Sequence, residues 1–144
     1  MRWFFKLVRT THAVIFRLSG GRVGASLGGM PMLLLTTKGR RSGRVHSVPL
    51  GYMMDQESYV VIASYRGSTR NPAWYLNLLH EPLVFVQVGM RKISVVARPV
   101  DSVEREALWS RLVAKTPIYG RFQDHTKRQI PLVYLTPANS EVEL

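Results

Sequence analysis

Residues 32–64, MLLLTTKGRRSGRVHSVPLGYMMDQESYVVIAS, decide the fold. Met32 to Thr37 is a short, continuously apolar run, Val45 to Met54 is a longer apolar and β-branched run broken by Pro49, and Tyr59 to Ser64 is a third. The basic glycine turn KGRRSG joins the first two, and the polar turn DQES joins the last two. Runs of this length and composition, bounded by turn residues, predict antiparallel strands. Further out, Leu83 to Val88 follows Pro82, Ile93 to Val100 follows the turn GMRK, and Ile130 to Thr136 supplies a sixth strand.

Two helices interrupt these strands. Asn71 is expected to cap a helix with Pro72 at its first position, running through AWYLNLLH until Pro82 forbids continuation. Asp101 and Glu104 have capping-box spacing ahead of REALWSRLVAK, in which Leu108, Leu112 and Val113 share a face. Six short strands with inserted helices predict a mainly β fold with α elements: a small barrel with Greek-key-like connections.

The 144 residues, 46% hydrophobic and 20% charged, suit one globular domain over 1–144. The tail from 138 to 144 is expected to fray. Residues 19–31, SGGRVGASLGGMP, read as a loop. Before it, Phe4, Leu7, Val8, Thr11, Val14, Ile15 and Leu18 fall on one face of an amphipathic helix over 1–18, with basic residues mostly elsewhere. Such a helix either packs on its own domain or, with Trp3 and Phe5 near its start, lies in a lipid interface as a weak peripheral anchor. No run of eighteen uncharged apolar residues exists, so a membrane-spanning helix is not expected. Lys6, Arg9, His12 and Arg17 interrupt any signal-peptide core, which points to the cytoplasm, including the inner face of the membrane.

The absence of cysteine excludes disulfides, thiolate zinc sites, iron-sulfur clusters and cysteine nucleophiles. The net charge of +11 is unevenly spread: nine basic residues and no acidic one precede Asp55, whereas residues 55–144 carry eleven basic and nine acidic groups. An anionic ligand is therefore expected to meet the first third of the chain. Nucleic acid is not expected, because no aromatics interleave with the basic turn. There is no GxGxxG, no P-loop frame and no GxSxG elbow, and none of the four histidines stands four residues from another. No metal site is predicted, and the chemistry points to a bound organic cofactor.

The most informative segment is Thr36 to Arg44, TTKGRRSGR. Glycines at 39 and 43 free the backbone to aim N–H groups at an anion, Lys38, Arg40 and Arg41 add charge, and Ser42 adds a hydroxyl. A basic hairpin turn can equally be a solvated one, and support comes from Ser64, Gly67 and the run Asn71 to Leu78. There Trp74 or Tyr75 can flank a flat ring, or Trp74 and Leu78 can be core contacts one helical turn apart.

Taken together, LLLTTKGRRSGRVHSVPLGY, VIASYRGSTRNPAWYLNLLHEP, IYGRF and RQIPLVYLTP resemble the deazaflavin-dependent nitroreductase family of actinobacteria, over about residues 12–137. The resemblance implies a split β-barrel of the FMN-binding type that binds coenzyme F420, a deazaflavin with a phosphodiester and oligoglutamate tail, rather than FMN. It assigns Lys38, Arg40, Arg41, Ser42 and Gly43 to the phosphate and tail, and Pro49 and Leu50 to the ring. Ala63, Ser64, Gly67, Asn71, Trp74 and Asn77 would line the same groove. The implied activity is hydride transfer to a small electron-poor acceptor: a quinone, an activated enone or lactone, or a nitroaromatic. The alternative is a non-catalytic barrel that holds a flavin, a tetrapyrrole or a lipid. Three tyrosines of the family's best-known nitroreductase correspond to Thr116, Tyr119 and Phe122 here, so Tyr119 alone keeps the phenol as the expected catalytic donor. Monomer and dimer are both compatible with this reading.

Overall fold

The computed structural model describes residues 26–27 and 30–138. Among the described residues there are seven strands: β1 (Ser26–Leu27), β2 (Met30–Lys38), β3 (Val45–Asp55), β4 (Ser58–Ile62), β5 (Leu83–Val88), β6 (Arg91–Pro99) and β7 (Leu132–Pro137). Between them lie a 3-10 turn (Tyr65–Gly67), α1 (Ala73–His80), α2 (Ser102–Lys115) and α3 (Ile118–Asp124). The sheet order is β1-β2-β3-β4-β7-β6-β5, every pairing is antiparallel, and β2 also pairs with β5 through Leu34 to Thr36. That last pairing closes six strands into a barrel. The two-residue β1 and the first two residues of β2 correct the loop expected over 19–31, since Ser26 and Leu27 pair with Pro31 and Met30. Residues 1–18, expected as a helix, and 139–144 of the expected frayed tail lie outside the described residues. Among the described residues no helix is long and apolar enough to cross a membrane.

Strand alternation sorts the apolar residues into two layers. Leu33, Leu35, Val61, Val84, Val86, Ile93, Val95, Val133 and Leu135 fill the barrel, and Leu78 of α1 plugs one end with Trp74 and Tyr75 packed beside it. The opposite faces of β4 and β7 carry Val60, Ile62, Leu132 and Tyr134, which pack with Met30 and Met53 under Leu108 and Leu112 of α2. Each such fully buried aliphatic side chain contributes about 1.5–3 kcal/mol.

The capping box of α2 forms as its spacing predicts, with Asp101 accepting from the Glu104 N–H at 2.8 Å. The start of α1 differs from expectation. Pro72 occupies the cap position with no side-chain cap, because the Asn71 carboxamide accepts instead from Arg128 at 2.8 Å. Helix α3 is hard to read from sequence: its seven residues contain Gly120 and none is fully buried, so tertiary packing of Tyr119 and Phe122 on the outer core holds it.

Candidate functional site: a cationic groove at the barrel mouth

The β2–β3 hairpin builds the first wall. Gly39 N–H donates to the Arg44 carbonyl at 2.6 Å and Gly43 N–H to the Gly39 carbonyl at 2.9 Å, tying residues 39–44 into a compact turn. Gly43 has φ +72°, the left-handed region that favours glycine. Helix α1 then locks the turn to the barrel. The Asn77 carboxamide, 5% exposed, accepts from Arg40 N–H at 3.1 Å and from Arg40 Nη1 at 3.3 Å, and donates to Thr37 Oγ1 at 3.2 Å.

The facing wall follows β4. Tyr65, Arg66 and Gly67 have φ of 46°, 56° and 78°, a left-handed run that costs on the order of 1–3 kcal/mol for each non-glycine residue. Gly67 is constrained on two counts, because an added Cβ would also fall 2.6 Å from the Phe122 carbonyl oxygen of α3. The Arg128 guanidinium holds this wall. Nε donates to the Ser68 carbonyl at 2.8 Å, Nη1 to the Ala63 carbonyl at 3.1 Å and to Asn71 Oδ1 at 2.8 Å, and Nη2 to the Ser64 carbonyl at 2.7 Å. Partial burial lowers its pKa below the usual guanidinium value, yet an arginine stays cationic at any physiological pH.

Between the walls lies a cavity of about 680 Å³ lined by Thr37, Gly39 to Ser42, His46 to Leu50, Ile62, Ser64 to Arg66, Pro72 to Trp74 and Asn77. The lining holds three arginines, Arg40, Arg41 and Arg66, and no carboxylate. Along residues 45–51, β3 is paired with β2 alone, since pairing with β4 begins at Tyr52. Such an edge tolerates Pro49 and leaves backbone polar groups available to a ligand.

Nine of the residues singled out by sequence meet in this lining: Gly39, Arg40, Arg41, Ser42, Pro49, Leu50, Ser64, Trp74 and Asn77. Lys38, Gly43, Ala63, Gly67 and Asn71 are outside it. Lys38 sits 3.8 Å from Glu81, whereas Gly43, Ala63, Gly67 and Asn71 shape the walls from behind. Asn77 is a brace as much as a lining residue, its amide being engaged by the turn. Sequence reasoning missed Tyr65, Arg66, His46 and Arg128. The glycine after YR in IASYRGSTR was the signal for the left-handed turn, whereas nothing local marks Arg128.

Tyr119 stands one step past the groove. Its hydroxyl donates to Met30 Sδ at 3.6 Å and lies over Gly51, where an added Cβ would meet it at 3.4 Å. Gly51 adjoins the lining residue Leu50, so the missing side chain leaves the phenol its place beside β3. Burial raises the Tyr119 pKa above the ordinary phenol value, and the group is protonated at neutral pH.

The fold is a split β-barrel, with a cationic groove whose described lining holds no carboxylate along the 45–51 edge of β3. The model of the F420H(2)-dependent quinone reductase family matches residues 7–137, and the chain belongs to that family of F420-dependent oxidoreductases. It is 35% identical over 129 residues to an F420H(2)-dependent quinone reductase of Mycobacterium tuberculosis, covering 87% of each chain. A solved structure of an F420-H2 dependent reductase is 35% identical with a TM-score of 0.66, covering 73% of this chain and 93% of that one. Another, described as a domain-swapped dimer, is 30% identical with a TM-score of 0.68, covering 89% of this chain and 96% of that one. The nitroreductase label expected from the sequence has no direct support in these matches. The groove fits the family's cofactor: three guanidiniums and a serine suit a phosphodiester and a polyglutamate tail, and the 48–50 edge suits a flat ring.

Proposed function

We propose that the groove binds reduced F420 and that the acceptor is a quinone approached from the Tyr119 side. The carboxylate-free lining with Arg40, Arg41 and Arg66 carries this reading, because three guanidiniums with no carboxylate among the lining residues make the groove attractive to an anion. Arg40, Arg41 and Ser42 would hold the phosphate and tail; Val48 to Leu50, Ser64 and Trp74 would hold the ring. When bound, the reduced deazaflavin supplies a hydride from a ring carbon, which favours two-electron reduction. Tyr119 acts where negative charge grows on the acceptor oxygen, donating a hydrogen bond and then the proton. Its raised pKa keeps it a donor through the neutral range.

The test is fluorescence titration of the protein with F420, followed by reoxidation of the reduced complex with menadione and, separately, with a nitroimidazole. Turnover with the nitro compound and none with menadione would overturn the quinone reading. Tyr119→Phe keeps the ring and removes the hydroxyl, so affinity for F420 should hold while quinone turnover falls roughly tenfold or more. Unchanged turnover would reduce Tyr119 to a wall.

A further inference from the structure

Arg128 belongs to no helix or strand; it lies in the link between α3 and β7. Its backbone is nevertheless fixed. Gln123 Nε2 donates to the Arg128 carbonyl at 2.7 Å, Gln123 Oε1 accepts from Ile130 N–H at 2.9 Å, and Arg105 Nη2 donates to the Ile130 carbonyl at 2.8 Å. From this anchor the guanidinium spans to the far wall of the groove, where its four hydrogen bonds end on the carbonyls of Ala63, Ser64 and Ser68 and on Asn71 Oδ1. No carboxylate is within ion-pair distance of it among the described residues.

Those carbonyls flank the left-handed run at Tyr65 to Gly67. A backbone in that region persists only where its surroundings over-determine it; here two turn hydrogen bonds, Gly67 N–H to the Ser64 carbonyl and Ser68 N–H to the Tyr65 carbonyl, are backed by Arg128 on one side and by α3 at the Phe122 carbonyl on the other. We propose that Arg128 is a positioning residue for the reaction: outside the groove lining itself, it holds Ser64, Tyr65 and Arg66 in the geometry that receives the cofactor. The planar fork of a guanidinium is what the task needs, because its donors diverge to four acceptors on three sides. A lysine ammonium keeps the charge but gathers its donors on one atom. The inference rests on reading the groove as the F420 site.

The experiment compares wild type with Arg128→Lys and Arg128→Ala by three measurements. Hydrogen exchange of the cofactor-free proteins should show amides 64–71 opening faster in both variants, while those of the barrel strands at Leu33, Val61 and Leu135 keep their protection. Affinity for F420 should fall roughly tenfold, the scale of one charge-assisted hydrogen bond. In steady state with excess menadione the KM for reduced F420 should rise while kcat holds within about twofold, the pattern of lost uniform binding. A lysine variant that binds F420 as wild type does would overturn the proposal, as would exchange that rises throughout the barrel. If both variants fail to fold, Asn71→Ala removes the side-chain acceptor alone and should open 64–71 to a smaller extent; no local change there would also overturn it. Wild-type protein that does not bind F420 would instead sink the cofactor reading, while the exchange measurement would still decide whether Arg128 holds the loop.

Discussion

The two walls of the groove reach the same end by opposite means. The 39–44 turn makes its own shape, with two glycines, two backbone hydrogen bonds and Ser42 Oγ accepting from Arg44 N–H at 3.1 Å, and Asn77, accepting from Arg40, braces it to the barrel. The 63–71 wall has local bonds of its own, Gly67 N–H to the Ser64 carbonyl at 2.8 Å and Ser68 N–H to the Tyr65 carbonyl at 3.0 Å, but its backbone is costlier to hold. It contains two non-glycine residues in the left-handed region and depends on Arg128, some sixty positions away, and on the back of α3. Self-sufficiency suits a turn whose work is to present charge to a ligand. Dependence on distant groups couples the second wall to the helix that carries Tyr119.

The largest effect that could break this contrast comes from the charges of the first wall. Arg40→Ala with Arg41→Ala should lower F420 affinity on the order of a hundredfold or more, since each charge-assisted bond contributes about 1.5–3 kcal/mol. The melting temperature should change little, because the backbone N–H of residue 40 still reaches Asn77. Normal affinity by fluorescence titration would remove the turn from the site.

The next test sets glycine against glycine. Gly43→Ala meets open space, its nearest neighbour being Lys38 Cε at 3.9 Å, so it should cost only about 1 kcal/mol for the positive φ. Gly67→Ala adds a collision with the Phe122 carbonyl oxygen and should cost about 3 kcal/mol. Urea denaturation compares them, and equal losses would mean that the second wall yields as easily as the first.

A third test lies away from both walls and serves as their control. Tyr134 donates to Asp55 Oδ2 at 3.0 Å, and burial together with that carboxylate pushes its pKa up to about 12. The unfolded phenol loses its proton near pH 10, so between about 10 and about 12 the unfolded chain binds fewer protons and stability falls as pH rises. Tyr134→Phe should make the alkaline loss shallower in denaturant midpoints taken at pH 8 and pH 11, without touching F420 affinity. An unchanged alkaline slope would assign that loss to other groups, such as Tyr119, whose pKa burial also raises. The smallest effect belongs to Lys38, which is solvent-exposed beside Glu81. Lys38→Ala should alter stability by less than about 1 kcal/mol and shift F420 affinity only in low salt.

What could be read from the sequence follows the same division. The strands from Met32 onward, the capping box at Asp101 and Glu104, and the TTKGRRSGR turn are local patterns of alternation, capping and glycine placement, and each forms where its pattern stands. Asn71 illustrates the limit. Its helix-capping signal is sound chemistry, but an arginine from another part of the chain takes the carboxamide first. Helix α3 illustrates it again, since a glycine-containing heptapeptide has no helical preference until the outer core gives Tyr119 and Phe122 somewhere to pack.

The sequence by itself therefore determined the barrel class, the basic turn and, through matched segments, the cofactor. Hydrophobic periodicity and turn glycines act over a few residues and need no partner to be recognised. Only the tertiary structure decided that Asn77 braces the turn, that Arg66 joins the groove, that Lys38 faces Glu81 instead, and that Arg128 holds the opposite wall. The Asn77 and Arg128 braces depend on which distant donors and acceptors come within about 3 Å of one another, and the places of Arg66 and Lys38 depend on how the folded backbone aims them; sequence spacing fixes neither.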